Sequence, residues 1–345
     1  MKEICVLFGG KSTEYDVSLR SVLFVLSVLE KLPYRIHKIG ITRNGKWLLF
    51  KGENSEIAED KWHENPKNEP ICVNFSQKML FTDSERLYPD VAFPVMHGEY
   101  GEDGRVQGVL ELLEIPVIGV DSFSASLCMD KEKCKIIAQS SAIPVTPYVA
   151  LRKNGEDNEK IIGMIKTDIR RGVDVFVKPS RGGSSVGISH VTHESELDSA
   201  VKTAFSLCDT VLIERAINGH ECEVAILETG GALTVSEVGK ISYTGDFYDY
   251  DEKYKSTNVK YEIPAQITDK CRTLCQKYAK EIFLLLGCRS MARVDFFVTE
   301  QGQVYFNEIN AIPGFTSISM YPMLILHEKI TPSELMTRLV GNAIR

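Results

Sequence analysis

None of the nine cysteines in this 345-residue chain belongs to a C-x-x-C pair; they are odd in number and scattered. That pattern excludes a disulfide framework and a cysteine zinc site, and it points to a reducing compartment. Long apolar runs are missing as well. No stretch reaches the ~18 residues a membrane span needs. The opening stretch, 2–8, is too short for a signal-peptide core and runs straight into a glycine turn. The expected location is therefore the cytoplasm, with no membrane partner. A basic excess is lacking, since the net charge is −7, and this argues against nucleic acid, whose footprint is a basic patch. It does not exclude an anionic nucleotide, because phosphate sites are built locally from lysines, backbone N–H groups and metal. The pattern of a Ser–His–Asp or Cys–His nucleophile is absent. Gly10-Lys11-Ser12 is not a P-loop either, because that loop needs glycine five positions before Gly10, where Cys5 stands.

What is present is ordinary in bulk and particular in detail. Hydrophobic residues make up 43% and charged residues 25%, as in a soluble globular protein. The length suits two or three domains. Strands expected at 4–8, 35–42, 47–50 and 90–96 alternate with helices at 17–31 and 106–113, which predicts a parallel wound sheet with its ligands at the strand C-terminal ends. A polar, loop-rich insert is expected over 51–70, a short strand at 115–119 and one helix from 122 to 139. Glu14 in the Gly9 turn and His97 in a three-glycine turn occupy the ligand end of that sheet. No second histidine lies at metal-ligand spacing, so His97 is expected to serve as a hydrogen-bonding group.

Farther along, strands at 148–151 and 174–178 flank a charged helix near 159–171. Pro179-Ser180-Arg181-Gly182-Gly183-Ser184-Ser185-Val186-Gly187 then follows Lys178. Glycines let backbone N–H groups approach an anion and serines add donors, so this loop reads as a phosphate-covering flap. Strands continue at 211–215, 221–227 and 232–238. Among Glu214, Glu221 and Glu223, one acceptor would suit a nucleotide ribose. The segment 243–265 mixes aromatics with charges and lacks periodicity, which reads as a lid that excludes water. Apolar spacing predicts a helix over 268–286, closed by Gly287.

The richest stretch comes last. Two apolar runs, 292–297 and 305–310, read as paired strands around a turn at 300–303. Each carries acids where a strand would otherwise be apolar. Asp295, Glu308 and Asn310 supply hard oxygens of the kind Mg²⁺ takes together with substrate phosphates, and Arg293 is a fixed cation beside them. Glu308 and Asn310, two apart, share a face. Lysines, flap, oxygen triplet, arginine and lid together suit a Mg²⁺–nucleotide enzyme of phosphoryl-transfer type.

These residues also fall into a familiar series: Gly9-Gly10, Ser12, Glu14; His97-Gly98 and Gly101-Glu102-Asp103-Gly104; Met129-Asp130-Lys131; and Lys178-Pro179-Ser180-Arg181. The series continues with Tyr248-Asp249-Tyr250, Lys253-Tyr254, Arg293-Val294-Asp295, Asn307-Glu308-Ile309-Asn310 and Pro313-Gly314-Phe315-Thr316. In this order and over essentially the full length, the chain resembles the D-alanine–D-alanine ligases of the ATP-grasp superfamily. The resemblance implies three domains: a D-amino-acid-binding α/β domain over 1–122, a small central α+β domain over 123–213, and a C-terminal α+β catalytic domain over 214–345. It implies ATP and Mg²⁺, with Mn²⁺ as a substitute, the metal held by Asp295, Glu308 and Asn310. Lys131, Lys178 and Lys253 would bind ATP, with Glu214 and Ala216 at the adenine and Glu221 at the ribose. Glu14 would hold the first D-alanine and form a hydrogen-bonded set with Ser184 and Tyr254. Arg293 and the Gly314 amide would stabilise an oxyanion, Ser319 would take the second substrate's carboxylate, and a homodimer is implied.

Departures from the family pattern bear on the second substrate. Gly182 replaces a frequent glutamate in the flap, giving a footing to a non-catalytic ATP-binding protein as a rival. Near the acceptor the chain reads Ser317-Ile318-Ser319-Met320-Tyr321-Pro322, so Ile318, Met320 and Tyr321 are expected in the acceptor pocket. The Gly-Phe-Thr-Ser ending and Asp-Glu-Lys-Tyr lid look most similar to the vancomycin-resistance D-alanine–D-serine ligases of the VanG type. D-alanine and D-serine are the substrates expected, with a housekeeping D-alanine–D-alanine ligase as the alternative.

Overall fold

Burial decides where the first sheet begins. The strand Lys2–Gly9 is apolar from its third residue on, and its last six residues are buried. It lies between Tyr34–Ile41 and Val91–Val95, parallel to both. The computed structural model describes residues 1–242, 260–316 and 318–344 of the chain. The wound parallel arrangement holds for these three strands only. Trp47–Phe50 and Glu69–Pro70 extend the sheet antiparallel; for the first of them, residues 42–46 make a turn too short for a parallel crossover. The insert at 51–70 is loop-rich but tied down: Trp62 is fully buried, its ring stands edge-on to Phe8 and its indole donates to Tyr15 Oη at 2.9 Å. A small sheet of Cys72–Asn74, Met79–Phe81 and Arg86–Leu87, which periodicity did not predict, follows.

Two expected elements change form. At 115–119 only a bridge between Val117 and Ala92 forms, for Pro116 has a carbonyl to offer Ala92 but no N–H to continue a ladder. The single helix expected over 122–139 is two, Ser122–Met129 and Lys131–Ser140. Asp130 adopts an extended conformation between them, and its carboxylate accepts from the Lys133 amide and from Ser180 Oγ at 2.5 Å. A side chain that caps one helix and holds the flap outweighs the apolar pattern that would run through it.

A second sheet is antiparallel throughout, in the order Ser189–Val191, Val175–Pro179, Thr210–Arg215, Tyr148–Arg152. Helices Asn158–Arg170 and Glu194–Leu207 pack over it on a core that includes Leu151, Ile169, Val177, Leu197 and Ile213. The third sheet runs Lys260–Glu262, Ala232–Ser242, His220–Thr229, Met291–Val298, Val304–Asn310, again antiparallel. Helix Asp269–Leu285 starts on Thr268, whose hydroxyl accepts from the Cys271 amide. It buries Cys271 and Cys275 as packing residues, and all nine cysteines are free thiols. On the other side, Met320–His327 and Pro332–Ala343 join a core shared with the first sheet, including Phe8, Phe93, Phe315, Tyr321 and Leu339.

Candidate active site

The strand register of the third sheet assembles the floor of the site. Asp295 lies opposite Glu308 and Arg293 opposite Asn310, while Glu223 flanks Asp295 from the other neighbouring strand. Alternation then puts all five on one face. Arg293 Nε and Nη2 donate to the two Asp295 oxygens at 2.8 Å each, and Nε also lies 2.8 Å from Glu223 Oε2. Burial disfavours the guanidinium charge, but Asp295 and Glu223 more than offset it and hold Arg293 protonated. Asn310 Nδ2 donates to Asp295 Oδ2 at 3.0 Å, and its oxygen is a separate acceptor. The strand is irregular between Asp295 and Phe296, where Phe306 rather than Asn307 pairs with Phe296. This bulge lets neighbouring Asn307 and Glu308 both line the cleft.

Among the described residues no three His, Cys, Asp or Glu side chains cluster as a metal site. The candidate set is two carboxylates and one amide. Such a set does not enclose a cation by itself, but it fits one that completes its shell with phosphate oxygens and water, as Mg²⁺ does.

Cations face this floor from the second sheet and the split helix. Lys131, the first residue after the break, lies 3.4 Å from Glu308 Oε2 and donates to the Gly182 carbonyl at 2.7 Å. Burial opposes its charge, yet the Glu308 carboxylate raises its pKa above the ordinary lysine value. Lys178 Nζ lies 2.7 Å from Glu214 Oε2 and donates to Asn307 Oδ1 at 3.4 Å. Glu214 lines the same cleft, and its carboxylate is buried between Lys178 and Lys135, 3.1 Å from the latter. Ala216 spends its amide on the Asp174 carbonyl and lines the cleft beside Glu221.

The flap meets the first sheet at Glu14. This residue is the N-cap of helix Tyr15–Leu29, yet its carboxylate makes no cap and instead accepts from Ser184 Oγ. A side chain at Gly98 or Gly183 would stand 2.2 or 2.4 Å from Glu14 Oε2, so a larger residue in either loop would displace that carboxylate. His97 is buried and shares a hydrogen bond with Ser21 Oγ at 2.9 Å, the role expected of it.

At the acceptor end, Ser319 Oγ accepts from the Thr316 amide at 3.1 Å and pairs with Thr316 Oγ1 at 2.7 Å. Ile318, Ser319, Met320 and Gly314 line the cavity there. Tyr321 does not. It is wholly buried and its hydroxyl donates to the Ile226 carbonyl at 3.2 Å, because helix Met320–His327 turns residue 321 toward the core. Tyr254 and Lys253 lie outside the described residues.

Two cavities result. One, about 710 Å³, lies between flap, second sheet and floor; the other, about 120 Å³, lies between Glu14, the floor and the 312–320 segment. Lys131, Ser184, Glu223, Arg293 and Glu308 line both. Lys135 was not singled out by sequence, and Glu223 only as one of three candidate ribose acceptors. Glu223 was legible as the period-two partner of Glu221, and Lys135 as the residue one helical turn beyond Lys131.

An antiparallel sheet with a glycine/serine flap closing on a second, acid-bearing antiparallel sheet defines the ATP-grasp class of ligases. Comparison with known proteins narrows the class. The model of the D-ala D-ala ligase N-terminus matches residues 3–120 and that of the C-terminus residues 137–341. The chain is 37% identical to vancomycin C-type resistance protein VanC1 of Enterococcus gallinarum, over 99% of this chain and 98% of the relative. It is 39% identical to a D-alanine–D-alanine ligase of Caldicellulosiruptor bescii, over 99% and 95%. The crystal structure of VanG D-Ala:D-Ser ligase from Enterococcus faecalis superposes with a TM-score of 0.88 at 38% identity, covering 99% of both chains. A D-alanine-D-alanine ligase from Coxiella burnetii gives 0.87 at 31%, covering 99% and 94%. The chain belongs to the D-alanine–D-alanine ligase family and is an enzyme of the ligase class.

Proposed function

We propose that this ligase uses ATP to join D-alanine to D-serine, making a peptidoglycan-precursor dipeptide of the kind that confers vancomycin resistance. One observation carries the reading of the site: five polar side chains, Lys131, Ser184, Glu223, Arg293 and Glu308, are common to a nucleotide-sized cleft and an amino-acid-sized cavity. A phosphoryl group passing between the two would cross that shared wall.

The residues divide the work accordingly. Lys131 and Lys178 offset phosphate charge, while Ala216 and Glu221 border the nucleoside end of the cleft. Asp295, Glu308 and Asn310 would hold Mg²⁺ or Mn²⁺, which when bound neutralises phosphate charge. Glu14 accepts the ammonium of D-alanine, and Ser184 keeps that carboxylate tied to the flap. The D-alanine carboxylate takes the γ-phosphoryl group and ADP leaves. The amine of the second substrate then attacks the acyl phosphate carbonyl, a C–N bond forms and phosphate departs. Arg293 and the Gly314 amide are aimed at the oxyanion of that step, and Ser319 at the acceptor's carboxylate. Tyr254 and Lys253, in the segment 243–259, would help exclude the water that hydrolyses acyl phosphates.

The choice of D-serine rests on likeness to the VanG D-Ala:D-Ser ligase and on the departure from the family pattern at Ile318 and Met320, which line the acceptor wall. D-alanine as acceptor is the second reading, favoured by equally similar relatives named D-alanine–D-alanine ligase. Incubation with ATP and equal concentrations of D-alanine and D-serine near neutral pH decides between them. D-alanyl-D-serine should predominate by mass spectrometry; predominant D-alanyl-D-alanine overturns the acceptor assignment. ADP release independent of D-alanine overturns the reaction itself.

A further inference from the structure

Lys135 enters the site as described so far only as a partner of Glu214. It stands one turn after Lys131 on helix Lys131–Ser140, is fully buried, and lines neither cavity. Burying a lysine is unfavourable unless its charge meets a partner. Its Nζ lies 3.1 Å from Glu214 Oε1 and donates to Thr146 Oγ1 at 3.2 Å. Glu214 turns its other oxygen to Lys178 at 2.7 Å, and Lys178 reaches Asn307 Oδ1 at 3.4 Å. The Thr146 hydroxyl donates to the Phe306 carbonyl at 3.4 Å. The contacts therefore close into a ring through the bulge that carries Asn307.

We propose that Lys135 is a positioning residue for nucleotide binding: by sharing the Glu214 carboxylate, it leaves Lys178 fixed in place but not neutralised, so that Lys178 presents positive charge to a phosphate. The inference rests on the reading above that a nucleoside triphosphate lies against Lys178.

The physical reason is charge balance in a poorly screened interior. An isolated Glu214–Lys178 pair is neutral, and a phosphate approaching Lys178 would meet the carboxylate at nearly the same range. Two lysines around one carboxylate keep a net positive charge behind the cleft, where effective dielectric is low. Ionisation agrees with this arrangement. Burial pulls the Lys135 pKa below its ordinary value, with Glu214 acting against the fall. Burial pushes the Glu214 carboxyl upward, but the Lys135 and Lys178 charges outweigh it and hold the group below the usual carboxylate range.

The test is titration of a non-hydrolysable ATP analogue into the wild type, Lys135→Met and the double variant Lys135→Met/Glu214→Gln, with thermal unfolding recorded for each. Lys135→Met should weaken the analogue by about tenfold, the loss of one charge-assisted contact, while the KM for D-alanine stays at the wild-type value. The double variant removes both charges, leaves Lys178 unpaired, and should recover affinity to within about threefold of wild type. A side chain that merely fills space makes the double variant as weak as the single one or weaker, and that outcome overturns the proposal. Wild-type affinity in Lys135→Met overturns it as well. If Lys135→Met does not fold, Glu214→Gln alone carries the test. It too unpairs Lys178 and must bind at least as tightly as the wild type; weaker binding sinks the idea. A wild type that binds no nucleotide removes the reading of the cleft rather than the role of Lys135 alone.

Discussion

Glu308 is the residue on which most of the site converges. It pairs with Lys131, lies opposite Asp295 and lines both cavities. Glu308→Gln keeps the shape and removes the charge, so kcat should fall by at least about a hundredfold, with circular dichroism and melting temperature near wild type. Near-normal turnover would remove Glu308 from the metal site. Glu214 contributes to acid behaviour. Its pKa is depressed in the folded state, so its stabilisation is complete above the unfolded value of about 4.3 and is lost as pH falls through the lower folded value. The unfolding free-energy difference between wild type and Glu214→Gln should stay constant from neutral pH to about 5 and shrink only below about 4; a difference already gone at pH 5 would contradict the depressed pKa. Residue identity made the floor legible in advance, because Asp295, Glu308, Asn310 and Arg293 interrupt apolar strands. It could not reveal that Lys135 and Lys178 share the Glu214 carboxylate, or that Tyr321 turns into the core. Those outcomes depend on neighbours remote in sequence.

Two irregular elements do what regular ones could not. The break at Asp130 starts a new helix with Lys131 at its first turn, directed at the flap carbonyl of Gly182. Hydrophobic periodicity ran through that break because it registers burial, and both helices are buried on one side. Asp130→Ala removes the cap on the Lys133 amide and the Ser180 contact, and should lower stability by about 1–2 kcal/mol in urea unfolding. The flap is held against the first helix by Ser184 and Glu14, with Gly183 at the point of closest approach. Gly183→Ala places a methyl group 2.4 Å from Glu14 Oε2, so flap and carboxylate must separate. The KM for D-alanine should rise by roughly tenfold or more with little change in melting temperature. An unchanged KM would show that the flap contact does not hold the first substrate's site together.

At the scale of the whole molecule, the first and last parts of the chain share one core. Helix Pro332–Ala343 packs on helix Tyr15–Leu29, and Leu339 is buried in the same cluster as Phe8 and Trp62. Both tryptophans, Trp47 and Trp62, belong to the first part, so their fluorescence reports on it alone. Leu339→Ala should cost about 2–5 kcal/mol, and tryptophan fluorescence should register the loss at the same denaturant midpoint as circular dichroism. A fluorescence midpoint that stays at the wild-type value would show that the two ends unfold independently. Among the described residues no helix is long and apolar enough to cross a membrane. The sequence alone determined the fold class, the family and the chemical kinds at the site, because apolar periodicity and ligand type are properties of neighbouring residues. Only tertiary structure decided which acids meet which lysines, which face residues 318–321 present, and that one wall serves two cavities. Those depend on strand register and a bulge set by pairings such as Phe296 with Phe306 and Glu223 with Asp295, on contacts between remote segments such as Ser184 with Glu14, and on a single side chain, Asp130, at the helix break.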